Sequence, residues 1–198
     1  ANLTLNNTDQ IVKAYLYWAG SGAGDLDISL NNVAISADLH YNVTQTTSLG
    51  TFVLFGAFKD VTQLVQNMGN GNYNVTEFDL TNVIEPYCPN AINFGGWAMV
   101  VIYKNETFKL TQLNVYHGMH SIGNNVPISI DLEGLHVIDK IGSKIGFIAW
   151  EGDANISNGE VLKLNNQDLF ENPLNPINNA FNGTNSITGS NTLYNMDI

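Results

Sequence analysis

The sequence predicts an all-β protein, an antiparallel β-sandwich of jelly-roll type with one short helical turn. Three observations carry this. Apolar runs are short, aromatic and β-branched, which suits strands better than helices. Turn signals recur about every 8–12 residues, the spacing of sandwich strands. A two-strand phrase also occurs twice: Ala14-Tyr15-Leu16-Tyr17-Trp18-Ala19-Gly20 leading to Asp27-Ile28-Ser29-Leu30-Asn31-Asn32, and Gly146-Phe147-Ile148-Ala149-Trp150-Glu151-Gly152 leading to Val161-Leu162-Lys163-Leu164-Asn165-Asn166. In each copy Asn-Asn reads as a tight hairpin turn, because Asn tolerates positive φ.

The elements follow in order. Gly50 to Phe58 reads as a mostly buried strand running into Asp60-Val61-Thr62-Gln63-Leu64-Val65, where an N-cap candidate and helical spacing predict one or two turns of helix. Gly69-Asn70-Gly71-Asn72 is a turn, and Tyr73 to Leu80 alternates as a strand should. Pro86 and Pro89 place Cys88 in a loop, and Gly95-Gly96 opens the strand Trp97 to Tyr103. Lys104 to Thr107 reads as a hairpin turn from which Phe108 to Tyr116 pairs back, with further strands at Ile128 to Leu132 and Gly146 to Trp150. One domain is expected over 1–198, loop-rich in 171–198, where alternation gives way to Asn, Pro and Gly. Thr192 to Ile198 reads as a strand just beginning, so the sandwich is expected to lack its closing strand, to be supplied from beyond Ile198 or by a partner.

Composition narrows the function classes. With Lys+Arg at 7 and Asp+Glu at 18 the net charge is -11, which repels phosphate backbones and anionic headgroups. Nucleic acid and direct membrane insertion are therefore poor expectations, whereas cations and neutral polysaccharide suit this surface. The one cysteine, Cys88, rules out an intrachain disulfide. Asn-x-Ser/Thr sequons are frequent, as chance alone produces in so Asn-rich a chain.

No nucleophile elbow, dinucleotide fingerprint or zinc-protease motif is present, so the chain is expected not to be an enzyme. His117 and His120, three apart, read as a turn pair. Asp25 and Asp27 in the first phrase, and Glu151 and Asp153 in the second, are the candidate ligands for calcium, a hard cation that takes oxygen ligands from acidic loops. The commoner role of such residues is turn stabilisation. Trp18 and Trp150 are the candidate sugar-stacking residues, against the ordinary explanation that both pack in the core.

The series Val12 to Gly20, Phe55-Gly56-Ala57-Phe58-Lys59-Asp60-Val61-Thr62, Asn93-Phe94-Gly95-Gly96-Trp97-Ala98, Ile148 to Asp153 and Leu174 to Asn182 resembles a β-rich module of large exported adhesin-like surface proteins of Bacteroidota. Those proteins are flavobacterial, gliding-motility-associated and exported by the type IX secretion route. The resemblance implies an extracellular, cell-surface module for attachment or assembly, with partners among other surface chains or further domains of the same polypeptide. It implies no catalytic residues. The segment Asp60 to Val65 with Gly71 to Val75 is also similar to galactose-binding-like jelly rolls, so a calcium-stabilised carbohydrate-binding module is the alternative expectation.

Overall fold

The computed structural model describes residues 1–198 except 124, 125, 138–140, 142, 156–158, 187, 188, 190–195 and 198. Strand and turn dominate it, so the chain is all-β with one short α-helix, as its sequence predicts. Its contacts group into two compact units, Ala1–Ile138 and Asp139–Ile198.

The first unit is built around the first apolar run. Strand β1 (Asn2–Leu3) is short, and β2 (Gln10–Ser21) is the long central strand. Next come β3 (Asp27–Leu30), β4 (Val33–Ser36), β5 (Leu39–Thr47) and β6 (Gly50–Asp60). Helix α1 (Thr62–Met68) is followed by β7 (Gly71–Asn72), β8 (Val75–Thr76), a 3-10 turn at Glu85–Asn90 and β9 (Gly95–Lys104). All pairing is antiparallel: one sheet runs β5-β6-β2-β9, a second runs β4-β3-β8, and β1 pairs with β7.

Period-two alternation decides what lies between the sheets. Ala14, Leu16 and Trp18 of β2 and Phe55 and Ala57 of β6 point inward, where Ile28, Leu30 and Ile35 of the smaller sheet meet them. Val61 just before the helix, Val65 within it and the fully buried Tyr73 also belong to this core. The helix begins where Asp60 Oδ1 accepts the Thr62 N–H at 2.9 Å, and it stops at Gly69, whose φ of 66° few other residues adopt readily. Burial raises the Asp60 pKa, but hydrogen bonds from Thr62 and Lys13 outweigh it and hold the carboxyl at about 2.

The opposite face of the large sheet is also apolar, carrying Tyr15, Tyr17 and Phe58. A strap crosses it: His117 stacks within 4.2 Å of the Phe58 ring, Met119 lies over Gly56, and Ser121 bonds Gln45. A Cβ at Gly56 would stand 2.8 Å from the Met119 sulfur, so a larger residue there would push the methionine side chain aside.

The predicted Asn-Asn turns form in both copies of the repeated phrase. Asn31 and Asn32 have φ of 47° and 65°, and Leu30 pairs with Val33 across them. In the second unit Asn165 and Asn166 have φ of 49° and 65°, with Leu164 opposite Gln167. Two positive φ values in a two-residue loop define a type I′ turn, whose twist matches the flanking strands.

Several expected strands are corrected. Tyr73 to Leu80 contributes only β8, because Glu77 adopts φ 61° and breaks the extended run. Cys88 sits in the 3-10 turn and its side chain is exposed. The turn after Lys104 forms, with the Phe108 N–H donating to the Asn105 carbonyl, but Phe108 to Tyr116 does not pair with β9. Ile128 to Leu132 is likewise not a strand, so alternation there lacks the ladder partner that would fix it.

The second unit has two small ladders. Strand β10 (Ala149–Trp150) pairs with β13 (Met196–Asp197), and β11 (Leu162–Leu164) pairs with β12 (Gln167–Leu169). The stretch 171–186 consists mainly of turns and bends and is held by polar side chains. Asn175 Nδ2 donates to Thr184 Oγ1 at 2.6 Å, and Asn182 Nδ2 donates to the Leu174 carbonyl at 2.7 Å. Of the predicted final strand, Met196–Asp197 forms and residues 192–195 and 198 lie outside the described residues.

Candidate functional site

The two copies of the phrase place their acidic residues in different environments. In the first, both aspartates serve the fold. Asp25 Oδ2 accepts the Asp79 N–H at 2.8 Å, and Asp27 Oδ1 accepts the Ser36 hydroxyl. Trp18 is 0% exposed, and its indole N–H donates to the Asp25 carbonyl at 2.7 Å. A tryptophan with both faces packed and its only donor taken cannot stack on a sugar, so the structure assigns Trp18 to the scaffold. The loop Gly20 to Asp27 is thereby stapled from both sides, by its own tryptophan and by the backbone at Asp79.

The second copy differs. Trp150 is half-buried in β10, and the chain turns sharply after it, with Glu151 at φ 67° and Gly152 buried. Burial pushes the Glu151 carboxyl up to about 7, and the nearby negative charges of Asp153 and Glu160 push the same way. The carboxylates of Asp153 and Glu160 thus lie close enough to oppose the ionisation of Glu151.

Asn179 joins these loops. Its backbone forms a parallel bridge with Glu160, and the neighbouring Ala180 N–H donates to the Glu160 carbonyl at 3.1 Å. Its side-chain nitrogen reaches the carbonyls of Asp153 at 3.3 Å and Ala154 at 3.4 Å. Asn179 is 5% exposed, and its Oδ1 is a buried acceptor with no donor. Such an oxygen is costly to bury unless something fills its lone pairs.

No group of three or more His, Cys, Asp or Glu side chains among the described residues is arranged to hold a metal ion by itself. His117 is an aromatic partner, its Nδ1 2.9 Å from the Tyr17 hydroxyl and its ring edge-on to Tyr15. Desolvation by these rings lowers its pKa, although one side of the imidazole meets solvent. Beside the Asn175 network a hollow of about 320 Å³ opens between Ala154, Pro173, Leu174, Asn182 and Thr184.

Sequence reasoning placed Glu151 and Asp153 in one loop, and the structure keeps them together. It separates their use from that of Asp25 and Asp27, whose carboxylates hold turns in the other unit. Glu160 and Asn179 were missed as companions. Asn179 lies in an Asn-rich loop where its neighbours look alike, and only the bridge to Glu160 sets it apart.

The second concentration of features is apolar. β9 is a terminal strand of its sheet, so one edge of ten residues has no ladder partner among the described residues. Directly after it in the chain come Phe108, Leu110 and Leu113, all exposed, and Leu110 is as open to solvent as in an extended peptide. Ile122, Val126, Ile130, Leu135 and Val137 continue the series.

No protein-family model, curated protein or solved structure matches this chain.

Proposed function

We propose that the chain is a non-enzymatic extracellular module, an adhesin or filament domain that mediates cell-surface attachment or assembly. The single observation that supports this reading is the open edge of β9, followed in sequence by a run of solvent-exposed large apolar side chains from Phe108 to Val137. Unpaired edges recruit strands, and apolar surface of this extent is characteristic of contact surfaces. The expected occupant is a strand of another surface chain or of a further domain of the same polypeptide. The acidic, Asn-rich exterior suits a protein that remains soluble while its neighbours supply the missing contact. Assembly is favoured over carbohydrate binding because Trp18, one of the two aromatic residues that the lectin reading needs, lies inside the core.

Sedimentation of the purified chain across a range of concentrations tests this. The parent should self-associate or capture strands, and the double substitution L110K/L113K should leave far-UV circular dichroism unchanged while abolishing association. A parent that sediments as a monomer at every concentration, and that gains no partner when mixed with the exported surface proteins of its source, would overturn the proposal.

A further inference from the structure

We infer, resting on the assembly reading above, that the open edge of β9 pairs with the same edge of a second copy of this chain about a two-fold axis. Two four-stranded sheets then join into one of order β5-β6-β2-β9-β9-β2-β6-β5. The two outer strands of the sheet differ. At β5, contacts from elsewhere already hold the strand: Asn42 Nδ2 donates to the Ala23 carbonyl at 2.9 Å, Thr47 Oγ1 donates to Asn90 Oδ1 at 2.6 Å, and Gln45 is bonded by Ser121 of the strap. Its alternate residues His40, Asn42, Thr44 and Thr46 are polar and exposed. β9 has none of these devices. From Gly95 to Lys104 there is no proline, no acidic residue and no charge before the final lysine. The irregularity in its ladder with β2 falls between Ile11 and Lys13 of β2, so β9 itself runs without a bulge. Its outward backbone groups have no backbone partner among the described residues. Prolines, charges and bulges are what keep natural edges from capturing strands, and an edge without them is open to pairing.

A second copy fits this edge because β9 is complementary to itself. An antiparallel pair centred on Val100 sets Val100 against Val100, Met99 against Val101, Ala98 against Ile102, Trp97 against Tyr103 and Gly96 against Lys104. Inside the ends every pair is apolar or aromatic, the kind that stabilises cross-strand contacts. This register also preserves the two faces of the sheet. Trp97, Met99 and Val101 pack on the core, and each meets a residue of the same face in the other copy. Charge favours the same arrangement. With a net charge of -11, two copies repel one another over most of their surface. β9 contributes no acidic side chain, and each Lys104 lies opposite a glycine, so no like charges meet across the pair. Stable interfaces bury about 1,200–2,000 Å² in all. Phe108, exposed and with its ring 5.9 Å from that of Tyr103, adds apolar area at the end of the strand pair.

Sedimentation and disulfide trapping of the whole chain test this, in a C88S background that removes the exposed native thiol. The protein should pass from monomer to dimer as its concentration rises and stop there, because a two-fold contact uses up the edge. V100K sets like charges face to face at the axis and should weaken dimerisation by about tenfold or more. T44K, on the β5 edge, should leave dimerisation unchanged, and circular dichroism checks that both variants fold. V100C should form an intermolecular disulfide on mild oxidation, since directly opposed residues hold their Cβ atoms about 4.5–5.5 Å apart. T44C should not, and this comparison stands even if V100K fails to fold. Dimerisation as sensitive to T44K as to V100K, or V100C no more cross-linked than T44C, would overturn the pairing. A chain that stays monomeric yet takes up a strand from another surface protein refutes self-pairing and leaves the module reading standing. Association lost in L110K/L113K but kept in V100K does the same. A monomer that takes up nothing ends both.

Discussion

Gly20 follows Ala19 in the first repeat of the phrase and has almost no room for a side chain. A methyl group built there would stand 2.6 Å from Leu80 Cδ1, 3.0 Å from the Phe94 carbonyl oxygen and 3.1 Å from Phe55 Cε1. The leucine can swing away, but the carbonyl is backbone and Phe55 is fully buried, so Gly20→Ala forces overpacking. Such changes cost about 1–3 kcal/mol. Replacing a strand glycine returns about 0.5–1 kcal/mol of backbone entropy, so the mid-range values leave a net destabilisation of a little over ~1 kcal/mol. For a unit of this size that lowers the melting midpoint by roughly 3–8 °C.

Leu80→Ala supplies the cross-check. It removes the nearest obstacle but not the carbonyl, so Gly20→Ala should cost less in that background, with a coupling of about 0.5–1.5 kcal/mol in a double-mutant cycle. Urea unfolding followed by tryptophan fluorescence reads all four proteins, because Trp18 lies in the same core. A Gly20→Ala protein within about 0.3 kcal/mol of the parent, or an equal cost with and without Leu80, would refute the reasoning.

Two further outcomes are expected. Asn31→Ala should cost about 1–3 kcal/mol in chemical denaturation, since it removes a side chain that donates to the Asn72 carbonyl at 2.9 Å and accepts the Asn74 N–H at 2.7 Å, besides placing Ala at φ 47°. For Glu151 the folded pKa is raised from 4.5 to about 7, so the folded state holds the proton more tightly than the unfolded chain. With Asp153 and Glu160 facing it, its contribution to the stability of the second unit should be intact below about pH 4.5 and lost as pH rises through about 7, by ~1–2 kcal/mol after allowance for solvent screening. Thermal melts across pH in the presence of chelator should show this slope, and E151Q should flatten it.

The strands β2, β6 and β9 were legible because each is an apolar run long enough to cross a sheet and bounded by turn residues. The type I′ turns were legible because Asn-Asn accepts positive φ twice in succession, a requirement few pairs meet. Alternation was a weaker guide. It fits Tyr73 to Leu80, yet the left-handed Glu77 and the turn in which Asp79 Oδ1 accepts the Thr81 N–H redirect that chain. It also fits Phe108 to Tyr116, but alternation states only which side chains could share a face. Whether a ladder forms depends on an edge elsewhere. The acidic residues illustrate the same limit: Asp25 and Asp153 lie in matching loops of the repeated phrase, and what separates them is a distant partner, Asp79 in one case and Asn179 in the other. Spacing within a loop says nothing about residues that approach from another part of the chain.

The register of β2 against β9 bears on how the first unit responds to pulling. Gln10 lies opposite Lys104, at one end of an antiparallel ladder that reaches Gly20 and Gly95 at the other. Tension applied between residues 10 and 104 therefore falls on the terminal pair alone and opens the ladder bond by bond, as a zip. Tension applied between residues 10 and 95 loads every bond of that ladder in shear at once. A sheet built this way is weak or strong according to which of its residues bear the load, and occupation of the β9 edge would determine the direction from which that load arrives.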